Sequence, residues 1–368
     1  MDSLTQILLG GTVAAAAVPA AHRRRAAVAG AILGTLPDLD GIPLALMGAD
    51  VVTAVTWHRG PSHSLPVLLL AGWLIWLALR RWWSPVREAP RPWLIAIWLA
   101  LLTHPLLDAF TVYGTQLFWP LPSSPVMWSS VFIIDPGYTL PLLVSSVAIL
   151  WLGARQPGRG LLVAGLALST AYLGWTLAAK AWVDRDARQV LAAHGLQDAP
   201  RFSVPMPLNS LLWRVVVMTP DGFLEGYRSL AVDQQPMSFR HYPSDTAGLD
   251  ALRGDASVQR LLWFTSGFMK AQRQDGALVL SDLRMGAEPD YVFRYRVATN
   301  APNAPDATTP AQVDAIDSPR RARQQLAATW QRLWHEPAPQ AFPAIGPSRK
   351  AIQDGPAGAA APAVPDQR

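Results

Sequence analysis

The chain has 368 residues, 51% hydrophobic and 15% charged, with 16 tryptophans, no cysteine and a formal net charge of +5. The lack of cysteine excludes disulfides and thiolate chemistry. So much apolar sequence must form either one large core or a set of membrane spans, and its distribution in long runs favours spans.

Six apolar runs predict six spans, at residues 4–21, 26–49, 65–83, 93–112, 131–153 and 161–182. The last four are each long enough for a hydrocarbon layer of ~30 Å, which takes ~20 helical residues. The first two are richer in Ala and Gly. Asp2 precedes the first run and the basic cluster HRRR (22–25) follows it. A cleaved leader has the reverse order, so the run is read as a span with its N-terminus outside. Lys and Arg are retained on the cytoplasmic side of a membrane. Nine arginines (Arg23, Arg24, Arg25, Arg80, Arg81, Arg87, Arg91, Arg155 and Arg159) flank one set of joints, and only Arg59 lies in the alternate joints 50–64 and 113–130. The bias assigns those alternate joints and everything after the last span to the outer side, periplasmic in a Gram-negative host. It also accounts for most of the basic charge, so no nucleic-acid partner is expected.

Polar residues punctuate this map at few places. GTLPDLDGIP (34–43) breaks the second span with two Pro, two Gly and two Asp, and places Asp38 and Asp40 where backbone is irregular. HRGPSHS (58–64) sets His58 and His63 around a Gly60-Pro61 turn. HPLLDAFTVYGTQ (104–116) puts His104 and Asp108 four apart, hence on one helical face near the end of the fourth span. Asp135 in FIIDP opens the fifth, where an N-cap followed by Pro at the first helical position is the simplest reading.

Carboxylates near hydrocarbon are costly unless a counter-charge meets them, and imidazole with carboxylate suits Zn, Mn or Fe. The expected ligands of a divalent metal are therefore Asp38, Asp40, His58, His63, His104 and Asp108, with zinc the first candidate and manganese the second. Two ions would let one polarise an oxygen while the other supplies hydroxide. Ser64, Arg59, Tyr113, Gln116 and Asp135 are expected around them. Arg59 is suited to an anionic oxygen, since its planar fork fits phosphate or carboxylate. Arg59, Asp108 and Asp135 are the candidates for a direct part in chemistry.

The stretches MDSLTQILLG, LPDLD, HRGPSHS, HPLLDAFTVYGTQ and FIIDP, in this order within residues 1–150, resemble the YdjM/YbcI-type membrane-bound metal-dependent hydrolases. SLLWRVVV and LSDLRMG are similar to the C-terminal extension of longer members. The resemblance implies an integral inner-membrane protein, and a distant kinship with zinc-dependent phospholipase C and the P1-type nucleases, which use His-x-x-x-Asp on a helix and cleave phosphate esters. His104 and Asp108 match that element. Some members have a histidine near the N-terminus where this chain has Gln6.

Beyond residue 185 the sequence turns polar. LLWRVVVMT and FLEGYRSL read as strands joined by a Pro220-Asp221-Gly222 hairpin, and ALVLSDLRMG and DYVFRYRVA as two more. Val292, Arg294 and Arg296 alternate with Phe293, Tyr295 and Val297, as on a sheet with one wet face. His194 and His241 read as solvated surface, and Asp282 with Arg284 as a cross-strand or surface ion pair. A helix is expected from Ser318-Pro319 to Trp334, then a disordered tail. The fold class is thus a mainly α-helical integral membrane domain (1–184) of about six spans with the second broken, a small extramembrane α+β domain (185–300), and a linker, short helix and tail (301–368).

Three functions fit. A hydrolase would cleave a small-molecule or lipid phosphoester at the outer membrane surface. A metal-stapled, non-catalytic module would leave the C-terminal domain to bind a protein partner of unknown identity. An ion-coupled transporter would pass a cation through broken helices, although the 65–83 and 161–179 stretches carry no charge that continues a pathway.

Overall fold

The computed structural model describes residues 1–152, 158–301, 304–317 and 322–345. Arg155, the Ser318-Pro319 helix start and the tail after 345 lie outside the described residues.

The described residues up to 192 carry the helices α1 (Ser3–Ala17), α2 (Arg23–Thr35), α3 (Gly41–Leu46), α4 (Val51–Trp57), α5 (Leu65–Trp82), α6 (Ser84–Glu88), α7 (Pro90–Ala109), α8 (Pro136–Leu152) and α9 (Gly158–Ala192), with an irregular stretch over 110–135. Among the described residues four segments are long and apolar enough to cross a membrane, namely Ala20–Leu46, Leu65–Trp82, Pro90–Ala109 and Gly158–Ala192; Ser3–Ala17 and Pro136–Leu152 are shorter apolar helices. Large apolar side chains face outward from them, with Leu70 58%, Leu168 61% and Trp151 78% exposed. In water such a surface would associate; against lipid it is the expected finish.

The break predicted in the second span is a 3-10 turn at Leu36–Asp40 between α2 and α3, with Pro37 in its first turn. Helix α1 is the hub and packs on α2, α7, α8 and α9. Its contact with α2 is backbone on backbone. A Cβ on Gly10 would stand 2.4 Å from the Gly30 carbonyl oxygen, and one on Gly30 would stand 2.2 Å from that of Gly10. Only glycine permits this approach, which brings the α2 end and its 3-10 turn against α7.

The last helix does not stop at the membrane part. It runs 35 residues, about 52 Å at 1.5 Å per residue, into the sheet-rich domain. Ala179, Val183, Ala187 and Leu191, one stripe at four-residue spacing, are buried against Trp213, Val215, Val217 and Leu224. Those residues come from β2 (Leu212–Thr219) and β3 (Gly222–Ser229), the predicted hairpin, which sits with β1 (Arg201–Pro205) and β4 (Phe239–Pro243) in an antiparallel sheet of order β1-β2-β3-β4. A second sheet of order β10-β9-β6-β5 is built from β5 (Met269–Gln274), β6 (Ala277–Asp282), β9 (Arg294–Ala301) and β10 (Ala304–Ala315), with a small β7 (Gly286–Ala287) and β8 (Asp290–Tyr291) ladder beside it. β6 and β9 are the other two predicted strands. Tyr295 and Val297 are buried and Arg296 is exposed, as the alternation requires. The pairing of β10 with β9 carries the sheet beyond residue 300. Helices α10 (Thr246–Ala251) and α11 (Ala256–Phe264) cover it, and α12 (Ala322–Trp334) reaches the predicted end point at Trp334.

Two expectations for this domain change. Asp282 and Arg284 do form an ion pair, but it is neither cross-strand nor on the surface: each is 2% exposed, and Arg284 turns toward the loop that follows α7 and donates to the Tyr113 carbonyl. His241 is bonded to Asp221 (3.1 Å) and half-buried, whereas His194 is exposed. The two parts of the chain also share a core: Val52 of α4 is buried with Leu252, Leu261, Leu280 and Tyr295.

Candidate metal centre

Three separated segments deliver four side chains to one point. The 3-10 turn supplies Asp38, the short Pro61–His63 turn supplies His63, and one face of α7 supplies His104 and Asp108. One donor atom from each lies within 4.8 Å of all the others, and His63, His104 and Asp108 are buried. The Nε2 atoms of His63 and His104 are 3.1 Å apart. Asp38 Oδ1 is 3.4 Å from the first and 3.3 Å from the second. Asp108 Oδ2 is 3.3 Å from His63 Nε2 and 3.6 Å from His104 Nε2. Donors about 2.1 Å from a tetrahedral ion stand about 3.4 Å from one another. Five of the six edges of this set bracket that value.

The surrounding bonds fix which atoms face inward. His104 Nδ1 donates to the Gly34 carbonyl (2.6 Å), which leaves the lone pair on Nε2. Ser62 Oγ donates to Asp40 Oδ2 (2.6 Å) and so accepts from His63 Nδ1 (2.9 Å), again freeing Nε2. Asp108 Oδ1 accepts from Gln6 Nε2 (3.0 Å) and from the Met1 amino group. Its other oxygen, Oδ2, is buried without a hydrogen bond; Arg59 Nε stands 3.1 Å away as an ion pair that is not aligned as a donor. Such an orphaned acceptor, next to two inward-facing imidazole lone pairs and a second carboxylate, fits a cation.

The other predicted residues lie around this set. Asp40 Oδ1 holds His58 Nδ1 at 2.7 Å, and Asp40 Oδ2 is 4.0 Å from the outer nitrogen of His63. His58 is the more open imidazole, with 32% of its side chain exposed against none for His63 and His104. Arg59 has φ +62, a strained conformation for a side chain of its size, and donates from Nη1 to Thr111 Oγ1 (3.1 Å). Its guanidinium lies 4.9 Å over the Tyr113 ring. Gln116 braces the loop by donating to the Thr56 carbonyl (2.7 Å), and Ser64 Oγ donates to that of Trp119 (2.7 Å). Asp135 is engaged elsewhere: it caps α8 through Gly137 N (2.9 Å) and accepts from Tyr172 Oη (2.9 Å). Ser62, Gly34 and Thr111 were not singled out by the sequence. Ser62 stands inside HRGPSHS, but no spacing rule distinguishes it from Ser64.

No curated protein and no solved structure matches the chain. Residues 1–183, which include every member of the cluster, match the family described as YdjM inner membrane protein. The helical part and its buried His/Asp cluster therefore stand in a membrane-protein context, and residues 1–183, which hold them, belong to the YdjM inner membrane protein family.

Proposed function

We propose that the chain is a membrane-bound metal-dependent hydrolase in which Asp38, His63, His104 and Asp108 hold a divalent ion, zinc in the first instance and manganese in the second. The observation that carries this reading is the near-tetrahedral set of donor separations, built from three distant segments and held by outer bonds that leave the lone pairs pointing inward. A bound ion supplies a Lewis acid and a hydroxide at neutral pH.

The protein's own groups divide the remaining work. Arg59 holds Asp108 and presents the rest of its fork to an anionic oxygen. His58, oriented by Asp40 and partly open, is the group placed to exchange a proton with a leaving oxygen. The substrate class is a phosphoester, by the chemistry of the donor set and the kinship the motifs imply, and a lipid is the natural source where the centre sits between membrane helices. The arginine distribution supports an outer, periplasmic position for the site and the sheet-rich domain.

Metal content of detergent-purified protein tests the reading. The native chain should carry stoichiometric zinc or manganese, and His104→Ala and Asp108→Ala should lose it while remaining folded. Equal, sub-stoichiometric metal in all three after reconstitution with each ion sinks it.

A second reading keeps the metal and drops the chemistry. Four protein donors suffice to close a tetrahedral site, as in structural zinc centres. Absorption of the cobalt-loaded protein with and without inorganic phosphate separates the two: a phosphate-dependent change indicates an open position, and none indicates a staple.

A further inference from the structure

The family match ends at residue 183, yet a residue a hundred positions later reaches the wall of the metal centre. The Arg284 guanidinium is buried. Its Nε and Nη2 are taken by the Asp282 carboxylate, at 2.9 and 2.8 Å, in a fork-to-fork pair. The remaining nitrogen, Nη1, points out of the pair and donates to the carbonyls of Tyr113 (2.7 Å) and Phe264 (3.0 Å).

Tyr113 joins the sheet-rich domain to the groups around the cluster. Its ring meets His58 edge-on at 5.8 Å, and Phe264 and Phe293 of the sheet-rich domain at 5.2 and 5.8 Å. Its hydroxyl donates to the Val55 carbonyl (3.0 Å), and Arg59, the ion-pair partner of Asp108, lies over its face. Burial pushes the phenol pKa up and keeps it a neutral donor. The next residue, Gly114, has φ +99, and a Cβ there would come within 3.0 Å of Pro125 Cβ and 3.5 Å of Arg284 Nη1. The turn that offers the Tyr113 carbonyl to Arg284 thus requires glycine. A second strut joins the same loop region: Arg260 Nε donates to Thr56 Oγ1 (3.1 Å).

We propose that Arg284, oriented by Asp282, is a positioning residue for the metal centre, acting from the sheet-rich domain through Tyr113 on His58 and Arg59. The domain is in this respect a wall of the centre rather than an appended module. The inference rests on the metal-centre reading above, so its test carries a readout that needs no metal.

The full-length protein is compared with Arg284→Lys, which keeps the charge but cannot serve the carboxylate and both carbonyls together. Lys270→Met, which breaks the half-buried Lys270–Glu288 pair of the same domain, controls for stability loss alone. Cobalt titration reads affinity and ligand geometry, and hydrogen exchange of the metal-free protein reads residues 55–60 and 111–117. Arg284→Lys should weaken cobalt binding about tenfold, alter its visible spectrum and speed exchange in those two stretches; Lys270→Met should do none of these. Native cobalt affinity, spectrum and exchange in Arg284→Lys overturn the proposal. If the native protein takes up no cobalt, the metal-centre reading fails instead, and the exchange comparison alone decides whether Arg284 positions the loop. Should Arg284→Lys fail to accumulate, Gly114→Ala leaves the Asp282–Arg284 pair in place, shifts only the turn, and should give the same loop exchange and cobalt changes.

Discussion

Single side chains around the cluster make separable contributions. Ser62 links His63 to Asp40 without touching the ligand face. Ser62→Ala should therefore lower metal affinity roughly tenfold or somewhat more with little loss of fold, measured by competition with a chromogenic chelator. Asp135 gives the opposite pattern. Tyr172→Phe removes one of its hydrogen bonds and should cost about 1 kcal/mol in a thermal melt, while metal content stays native; loss of metal would mean that Asp135 reaches the centre after all. The residue types were legible in the sequence because ionisable groups beside apolar runs are rare. Their grouping was not. The motifs named six ligand candidates, and the fold brings Asp38, His63, His104 and Asp108 together while Asp40 and His58 pair beside them, a division set by helix positions that no local spacing encodes.

At the scale of elements, glycine placement decides whether the ligands meet. The α1 and α2 backbones touch at Gly10 and Gly30, and Gly34, which accepts from His104, lies one turn further along the same face. Gly30→Ala should push the helices apart. The expected result is a lowered melting temperature from overpacking of about 1–3 kcal/mol, accompanied by loss of metal, because the 3-10 turn carrying Asp38 moves with α2. A melt unchanged from the native chain would contradict the packing. The broken span was visible in GTLPDLDGIP, since its Pro, Gly and Asp content cannot continue a helix. The length of α9 was not: its sequence turns polar near residue 184 while its apolar stripe continues at four-residue spacing to Leu191. Hydropathy marks where the surroundings change, and periodicity marks where the helix ends; they coincide only when a span stops at the membrane surface.

For the whole molecule, sidedness is directly testable because the chain has no cysteine. Gly254 is exposed with open space around its Cα, so Gly254→Cys introduces one thiol on the sheet-rich domain. An impermeant maleimide applied to intact spheroplasts should label it; labelling only after lysis would reverse the proposed topology.

The shared core also bears on how the protein is made. Val52 and Thr56 are synthesised early, and the α11 partner of Thr56, Arg260, follows 204 residues later. At translation rates of ~5–20 residues per second, the interval is roughly 10–40 s. Through that time α4 has emerged without the side chains that bury it, and the Tyr113 wall has no Arg284 to rest on. The four cluster side chains come from the first 108 residues and the wall beside them from residue 284, so the cluster emerges long before the side chain that closes its wall.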